Sequence, residues 1–114
     1  GCQIALSQMK KQKSGVIINI NSTAGLDGKP EISAYASSKF AIKGLTESIR
    51  KEIKDLDIRI LGVFPGGMQT DIYKEKYPDD LKDYMEVNTV VEKVISNLKS
   101  ENPEMDLIIK RPMK

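Results

Sequence analysis

Three short runs of apolar, mostly β-branched residues alternate with longer segments in which apolar residues recur every three or four positions. The apolar runs cover residues 16–20, 58–64 and 107–109, and they predict strands. The periodic segments cover residues 1–13, 33–55 and 89–99, and they predict helices. Because helices alternate with continuously apolar strands, the pattern predicts an α/β fold with a parallel sheet that is covered by helices.

The same pattern makes finer predictions about burial and helix ends. The run at 16–20 is typical of a strand buried on both faces. The helix at 33–55 is predicted to bury one stripe, whose members are Ala34, Ser38, Ala41, Leu45, Ile49 and Ile53. Asn88 is the predicted N-cap of the last helix. The charged stretch 71–86 is interrupted by Pro78 and predicts a helical flap that carries Tyr73, Tyr77 and Tyr84.

Composition narrows the possible function. The 114 residues carry 18 basic and 16 acidic side chains. The net charge of +2 is too small for the strongly basic surface that is typical of nucleic-acid-binding proteins. No apolar run approaches the roughly 20 residues of a membrane helix. The lone Cys2 cannot form an internal disulfide, which predicts a reducing, cytoplasmic location. The chain has no histidine, so its own residues exclude Ser-His-Asp and Cys-His catalysis and the HExxH zinc motif.

Polar residues with chemical potential follow the first predicted strand. Tyr35 and Lys39 are four residues apart on a helix, which places them on one face. A nearby lysine cation favours the phenolate and lowers the pKa of a tyrosine, so that it can exchange a proton with a carbonyl or alcohol oxygen. Ser22, at the end of the strand, could donate a hydrogen bond to the same oxygen. By itself the pair favours a helix-end core aromatic beside a solvated lysine over a catalytic role.

Three segments in order and spacing resemble the C-terminal half of a short-chain dehydrogenase/reductase. They are NINSTAG at 19–25, YASSKFA at 35–41 and PGGMQT at 65–70. The resemblance covers about residues 1–100. It implies a Rossmann-like, doubly wound parallel sheet, of which residues 1–114 would form the C-terminal catalytic half, with about three strands and three to four helices.

The resemblance also implies roles for individual residues. Tyr35 matches the family's general acid/base, and Ser22 matches the serine that polarises the substrate carbonyl. Lys39 matches the lysine that contacts the nicotinamide ribose and lowers the pKa of the tyrosine. The family transfers hydride between NAD or NADP and a carbonyl or alcohol carbon, and it needs no metal.

A second group of matched positions is implied to hold the cofactor, together with Tyr35 and Lys39. Pro65 and Gly66 match the turn beside the nicotinamide ring. Met68 occupies the position whose backbone meets the carboxamide, and Thr70 matches a cofactor-contacting threonine. The family commonly pairs through the helices that end at Lys13 and begin after Ser33, so a homodimer or homotetramer of the full-length parent is expected.

The chain departs from the family pattern in several places. It lacks the glycine-rich phosphate loop, the residue that selects NAD or NADP and the asparagine of the catalytic tetrad. Asn21 stands where many relatives have a second serine, and residues 107–114 lack the glycine-rich ending of many acyl-carrier-protein reductases. A non-catalytic cofactor-sensing or scaffold relative is therefore the alternative function. The 114 residues alone are expected to be an inactive fragment that binds dinucleotide weakly.

Overall fold

The computed structural model describes residues 1–70, 72 and 78–112, in which helices and strands alternate. The helices are α1 (Cys2–Gln12), α2 (Ser33–Glu52) and α3 (Val87–Lys99). The strands are β1 (Gly15–Ile20), β2 (Ile58–Pro65) and β3 (Asp106–Ile109). Short 3-10 turns cover Thr23–Gly25 and Leu81–Asp83. All three predicted strands and all three predicted helices are present, with ends that differ from the predictions by a few residues.

The strands form one parallel sheet in the order β1-β2-β3. Ile17 of β1 pairs with Ile60 of β2, and Val63 of β2 pairs with Leu107 of β3. Successive side chains of a strand point to opposite faces, so β2 contributes to two separate cores. Helices α1 and α2 cover the face that carries Ile17, Ile58 and Ile60, and α3 covers the face that carries Val63 and Ile109. The predicted Rossmann-like arrangement with helices on both faces is confirmed.

The prediction that β1 is buried on both faces is wrong. Ile17 is buried, but Val16 is 38% and Ile20 is 52% exposed. In the described part of the chain β1 pairs only with β2, so it is an edge strand. The sheet face that carries its Val16 and Ile20 side chains is also partly open. By contrast, β2 has a neighbour on each side, and from Ile60 to Pro65 every residue is buried.

The predicted inward stripe of α2 is also largely wrong. Of its members only the last two, Ile49 and Ile53, are buried, whereas Leu45 is 49% exposed. The buried face instead carries Ala36 and Thr46. Thr46 is tolerated there because its hydroxyl donates to the carbonyl of Ile42 and accepts from the amide of Asn19 in β1. A hydrogen-bonded threonine can occupy a core position that a count of apolar residues leaves out.

Asn88 is not the N-cap of α3. The helix begins at Val87, so Glu86 occupies the cap position, and no side chain caps this end.

Arg50 of α2 links three segments. Its guanidinium donates to the carbonyls of Ile60 and Met105 at 3.2 Å and pairs with Asp106 at 3.1 Å. These bonds fix the C-terminal half of α2 against β2 and the start of β3.

Part of the predicted flap, including Tyr73 and Tyr77, lies outside the described residues. None of the described helices combines the length and apolar composition that crossing a bilayer requires.

Candidate functional site

A cavity of about 920 Å³ opens at the carboxyl ends of the strands. This is the edge of a parallel α/β sheet where ligands generally bind. The cavity brings together six residues singled out from the sequence, namely Ser22, Tyr35, Pro65, Gly66, Met68 and Thr70. They come from the segment after β1, the first turn of α2, the last residue of β2 and the loop that follows it, so the parallel pairing of β1 with β2 brings them together.

Ser22 follows β1 in an extended backbone conformation and caps the 3-10 turn Thr23–Gly25. Its Oγ accepts a hydrogen bond from the backbone N–H of Ala24 at 3.1 Å. A hydroxyl has one proton and two lone pairs, so this contact leaves the proton available for another acceptor. Because Ser22 lines the cavity, that acceptor can be an oxygen of a bound molecule.

Tyr35 and Lys39 lie on one side of α2, as their spacing predicts. The Lys39 Nζ lies 5.5 Å from the centroid of the Tyr35 ring. Tyr35 is 40% exposed and faces the cavity, whereas Lys39 is half-buried and does not line it. The geometry is that of a phenol in contact with solvent and a cation beside it. The alternative reading, a core aromatic with a solvated lysine, does not fit these exposures.

Asn21 is the main polar residue of this region whose contacts the sequence does not reveal. It is 4% exposed, and one planar amide makes two hydrogen bonds. Its Oδ1 accepts from the backbone N–H of Ser22 at 2.9 Å, and its Nδ2 donates to the backbone carbonyl of Lys39 at 3.0 Å. The only signal in the sequence is its place between a strand end and Ser22.

The loop after β2 is held by the segment that precedes α3. The N–H of Met85 donates to the carbonyl of Gly67 at 3.0 Å, and the N–H of Gln69 donates to the carbonyl of Met85 at 2.9 Å. The side-chain amide of Gln69 adds a bond to the Tyr84 carbonyl at 2.9 Å. These contacts place Met68 and Thr70 along the cavity wall.

Arg111, just beyond β3, forms another part of the wall. Its guanidinium pairs with Asp80 at 2.9 Å and lies 4.6 Å from the centroid of the Tyr84 ring. The hydrogen bond to the Asp80 carboxylate raises the pKa of Arg111. The Tyr84 ring packs so closely on Gly67 that a Cβ at that position would overlap it. Arg111 lies about 30 residues after Asp80 and Tyr84 in the chain, so no local sequence motif predicts that the three side chains meet.

No group of three or more Cys, Asp or Glu side chains in residues 1–70, 72 and 78–112 is arranged to hold a metal ion. The polar groups of the cavity are hydroxyls, backbone groups and a few charged side chains. Such a set can bind and polarise an organic carbonyl or alcohol. The Tyr35 hydroxyl carries a proton that it could exchange with such a molecule. Lys39 supplies a positive charge beside it, and Ser22 supplies a second hydroxyl that can donate a hydrogen bond.

Residues 1–81 match the family model described as short chain dehydrogenase. Among curated proteins, sorbitol-6-phosphate 2-dehydrogenase of Klebsiella pneumoniae is 41% identical over 78 residues, which are 64% of this chain and 29% of that protein. The 3-oxoacyl-[acyl-carrier-protein] reductase of Bos taurus is 37% identical over 81 residues, 71% of this chain and 34% of that protein. The chain thus spans about a third of these relatives.

Solved structures show the same likeness in three dimensions. A 4-hydroxyisoleucine dehydrogenase mutant complexed with NADH and succinate superposes with a TM-score of 0.79 at 26% identity, over 96% of this chain and 51% of that one. A short chain dehydrogenase from Burkholderia cenocepacia J2315 in complex with NADP gives a TM-score of 0.76 at 25% identity, over 92% and 43% of the two chains. The chain matches about half of each solved protein.

Proposed function

Since the chain belongs to the short-chain dehydrogenase family, we propose that it is the catalytic part of an NAD(P)-dependent oxidoreductase that acts on a small carbonyl or alcohol substrate. One observation carries the proposal. Ser22 and Tyr35, which come from different elements, line one cavity, and the ammonium of Lys39 lies 5.5 Å from the Tyr35 ring centroid.

The residues divide the proton chemistry among them. In reduction, the Tyr35 hydroxyl gives its proton to the carbonyl oxygen, and in oxidation the phenolate takes the proton of the alcohol. The positive charge of Lys39 stabilises the phenolate in both directions. The Ser22 hydroxyl donates to the same substrate oxygen and stabilises the charge that develops on it.

The cavity also suits the nicotinamide end of a dinucleotide. Pro65 at the end of β2 and Gly66 after it line the cavity, so a flat ring could lie beside them. Met68 would supply a backbone contact and Thr70 a hydroxyl contact. Lys39 lies outside the cavity lining, so its contact with the ribose rests on the family resemblance. The bound cofactor would supply or accept the hydride. Relatives in solved complexes carry NADH or NADP, so either cofactor is compatible with the proposal.

The test is Tyr35→Phe in the full-length gene product. Purified protein is screened with NAD(H) and NADP(H) against ketones, sugar alcohols, hydroxysteroids and 3-oxoacyl esters, with nicotinamide absorbance as the readout. Loss of the general acid should lower kcat by about 10²–10⁴-fold. Tyr84→Phe removes a hydroxyl from another tyrosine of the same cavity and is expected to retain kcat within about tenfold.

Two outcomes would contradict the proposal. One is a Tyr35→Phe variant whose turnover stays within a fewfold of the wild type. The other is a wild-type protein that binds nicotinamide cofactors but turns over none of the substrates, which would favour a cofactor-sensing or scaffold role.

We also propose that the full-length protein self-associates through α1 and α2. Support comes from apolar side chains that these helices leave open, since Ile4 is 78%, Phe40 is 44% and Leu45 is 49% exposed. Exposed apolar side chains of this kind gain free energy when another protein surface covers them.

A further inference from the structure

We infer that Asn21 is a positioning residue that sets the distance between Ser22 and the Tyr35–Lys39 pair. The inference rests on the proposed function, since it concerns how the same three side chains are held. Asn21 adds no group to the reaction. It acts through the two backbone positions that its amide connects.

The bonding pattern of Asn21 is specific to these two positions. Its carbonyl oxygen accepts from the N–H of Ser22 at 2.9 Å, and its amide nitrogen donates to the carbonyl of Lys39 at 3.0 Å. Its own N–H donates to the carbonyl of Val63 at 2.7 Å, which ties it to β2 as well. The backbone of Ser22 and the backbone of Lys39 are therefore held by opposite ends of one rigid, planar group.

The surroundings give this amide little freedom. Asn21 is 96% buried, and Gly25 packs directly against it. A Cβ at Gly25 would lie 2.6 Å from the Asn21 Oδ1 and 3.0 Å from the Lys39 carbonyl oxygen. Only a residue without a side chain lets the 3-10 turn approach the contact so closely. Since buried polar groups are costly when unpaired, both bonds are maintained in the folded state.

A serine at position 21 could not make both contacts, because its hydroxyl is shorter by one atom than the asparagine amide. The chain therefore uses a longer side chain to reach the helix. Misplacing reacting groups by about 1 Å can cost on the order of 10²-fold in rate. We therefore expect the chemical step to depend on Asn21 more than folding does.

The experiment compares Asn21→Ser with Asn19→Ser in the full-length gene product. Asn19 offers a matched control because its side-chain amide likewise reaches α2, through a 2.9 Å bond to Thr46, but contacts neither Ser22 nor Lys39. Asn21→Ser should lower kcat by about 10–10²-fold with substrate KM within about threefold, whereas Asn19→Ser should leave kcat within about threefold.

Two further measurements separate positioning from loss of stability. Thermal unfolding shows whether the two serine variants are destabilised alike, so that a difference in kcat has another cause. Gly25→Ala, which pushes on the same contact, should give the same kinetic pattern.

The outcomes are distinguishable. If Tyr35→Phe abolishes activity but Asn21→Ser retains wild-type kcat, the proposed function stands and this inference is overturned. Equal kcat losses in Asn21→Ser and Asn19→Ser would also overturn it, since they indicate a general structural effect. A full-length protein without any turnover overturns both.

Discussion

At the scale of single residues, Ser22 combines a structural and a chemical task. Its Oγ caps the 3-10 turn by accepting from the Ala24 N–H, and the same hydroxyl faces the cavity with its proton uncommitted. The cap orients the side chain, because the hydroxyl must keep one lone pair toward the backbone. Capping therefore restricts the directions in which the proton can be donated.

Replacing Ser22 by Ala separates these tasks. The lost cap should cost about 1 kcal/mol in the free energy of unfolding, measured by chemical denaturation. The lost donor should lower kcat by about 10²–10³-fold in the full-length gene product. Ser22→Thr keeps a hydroxyl and should recover part of both. An alanine variant that loses stability but keeps its kcat would show that Ser22 only caps the turn.

At the scale of elements, α2 is the helix that determines the site, and polar contacts hold it at three levels. In the first half of α2, the carbonyl of Lys39 accepts from Asn21. In its middle, Thr46 accepts from Asn19, and near its C-terminal end Arg50 donates to the carbonyl of Ile60 in β2. Directional bonds fix the position of a helix along and around its axis, which nonspecific apolar packing does less strictly. Tyr35 and Lys39 are therefore placed by contacts spread along the whole helix.

Arg50→Lys tests the last of these contacts. The planar guanidinium serves Ile60, Met105 and Asp106 together, and a lysine ammonium cannot match that geometry. The free energy of unfolding should fall by about 1–2 kcal/mol, a value reduced by the partial exposure of the pair. Lys43→Arg, at a one-to-one pair with Glu47 on the same helix, is the control and should change little. An unchanged Arg50→Lys would show that these bonds contribute no net stability.

At the scale of the whole molecule, apolar surface remains open along α2 and at the edge strand β1. Val16 and Ile20 of β1 and Leu45 of α2 are each more than a third exposed. The chain also spans only about half of its solved relatives. Apolar area of this kind gains free energy when it is covered, so a protein surface packed on these side chains would be favourable.

Leu45→Lys should therefore lower the oligomeric mass of the full-length gene product, as measured by light scattering after size-exclusion chromatography. Lysine is a good helix former, so α2 itself should persist. Asn102→Lys adds the same charge at an exposed polar position and should leave the mass unchanged. A Leu45→Lys variant with wild-type mass would place any self-association elsewhere.

The amino-acid sequence by itself determined the order of helices and strands and the three segments that contain Ser22, Tyr35, Lys39 and residues 65–70. These features are local, since they depend on apolar periodicity and on short spacings within one element. The predicted strand at residues 58–64 was confirmed as β2. A central strand is buried on both faces, so nearly all its residues are apolar and a local run is enough to predict it.

Only the tertiary structure decided which faces are buried and which distant groups meet. Thr46 of α2 is buried with its partners Asn19 and Ile42, so apolar periodicity missed this position and wrongly assigned Leu45 to the buried face. The two bonds of Asn21 and the Arg111–Tyr84 contact join residues that lie far apart in the chain. Hydrogen bonds and packing of this kind depend on distances in space, and those follow from the way the strands pair and the helices pack on them.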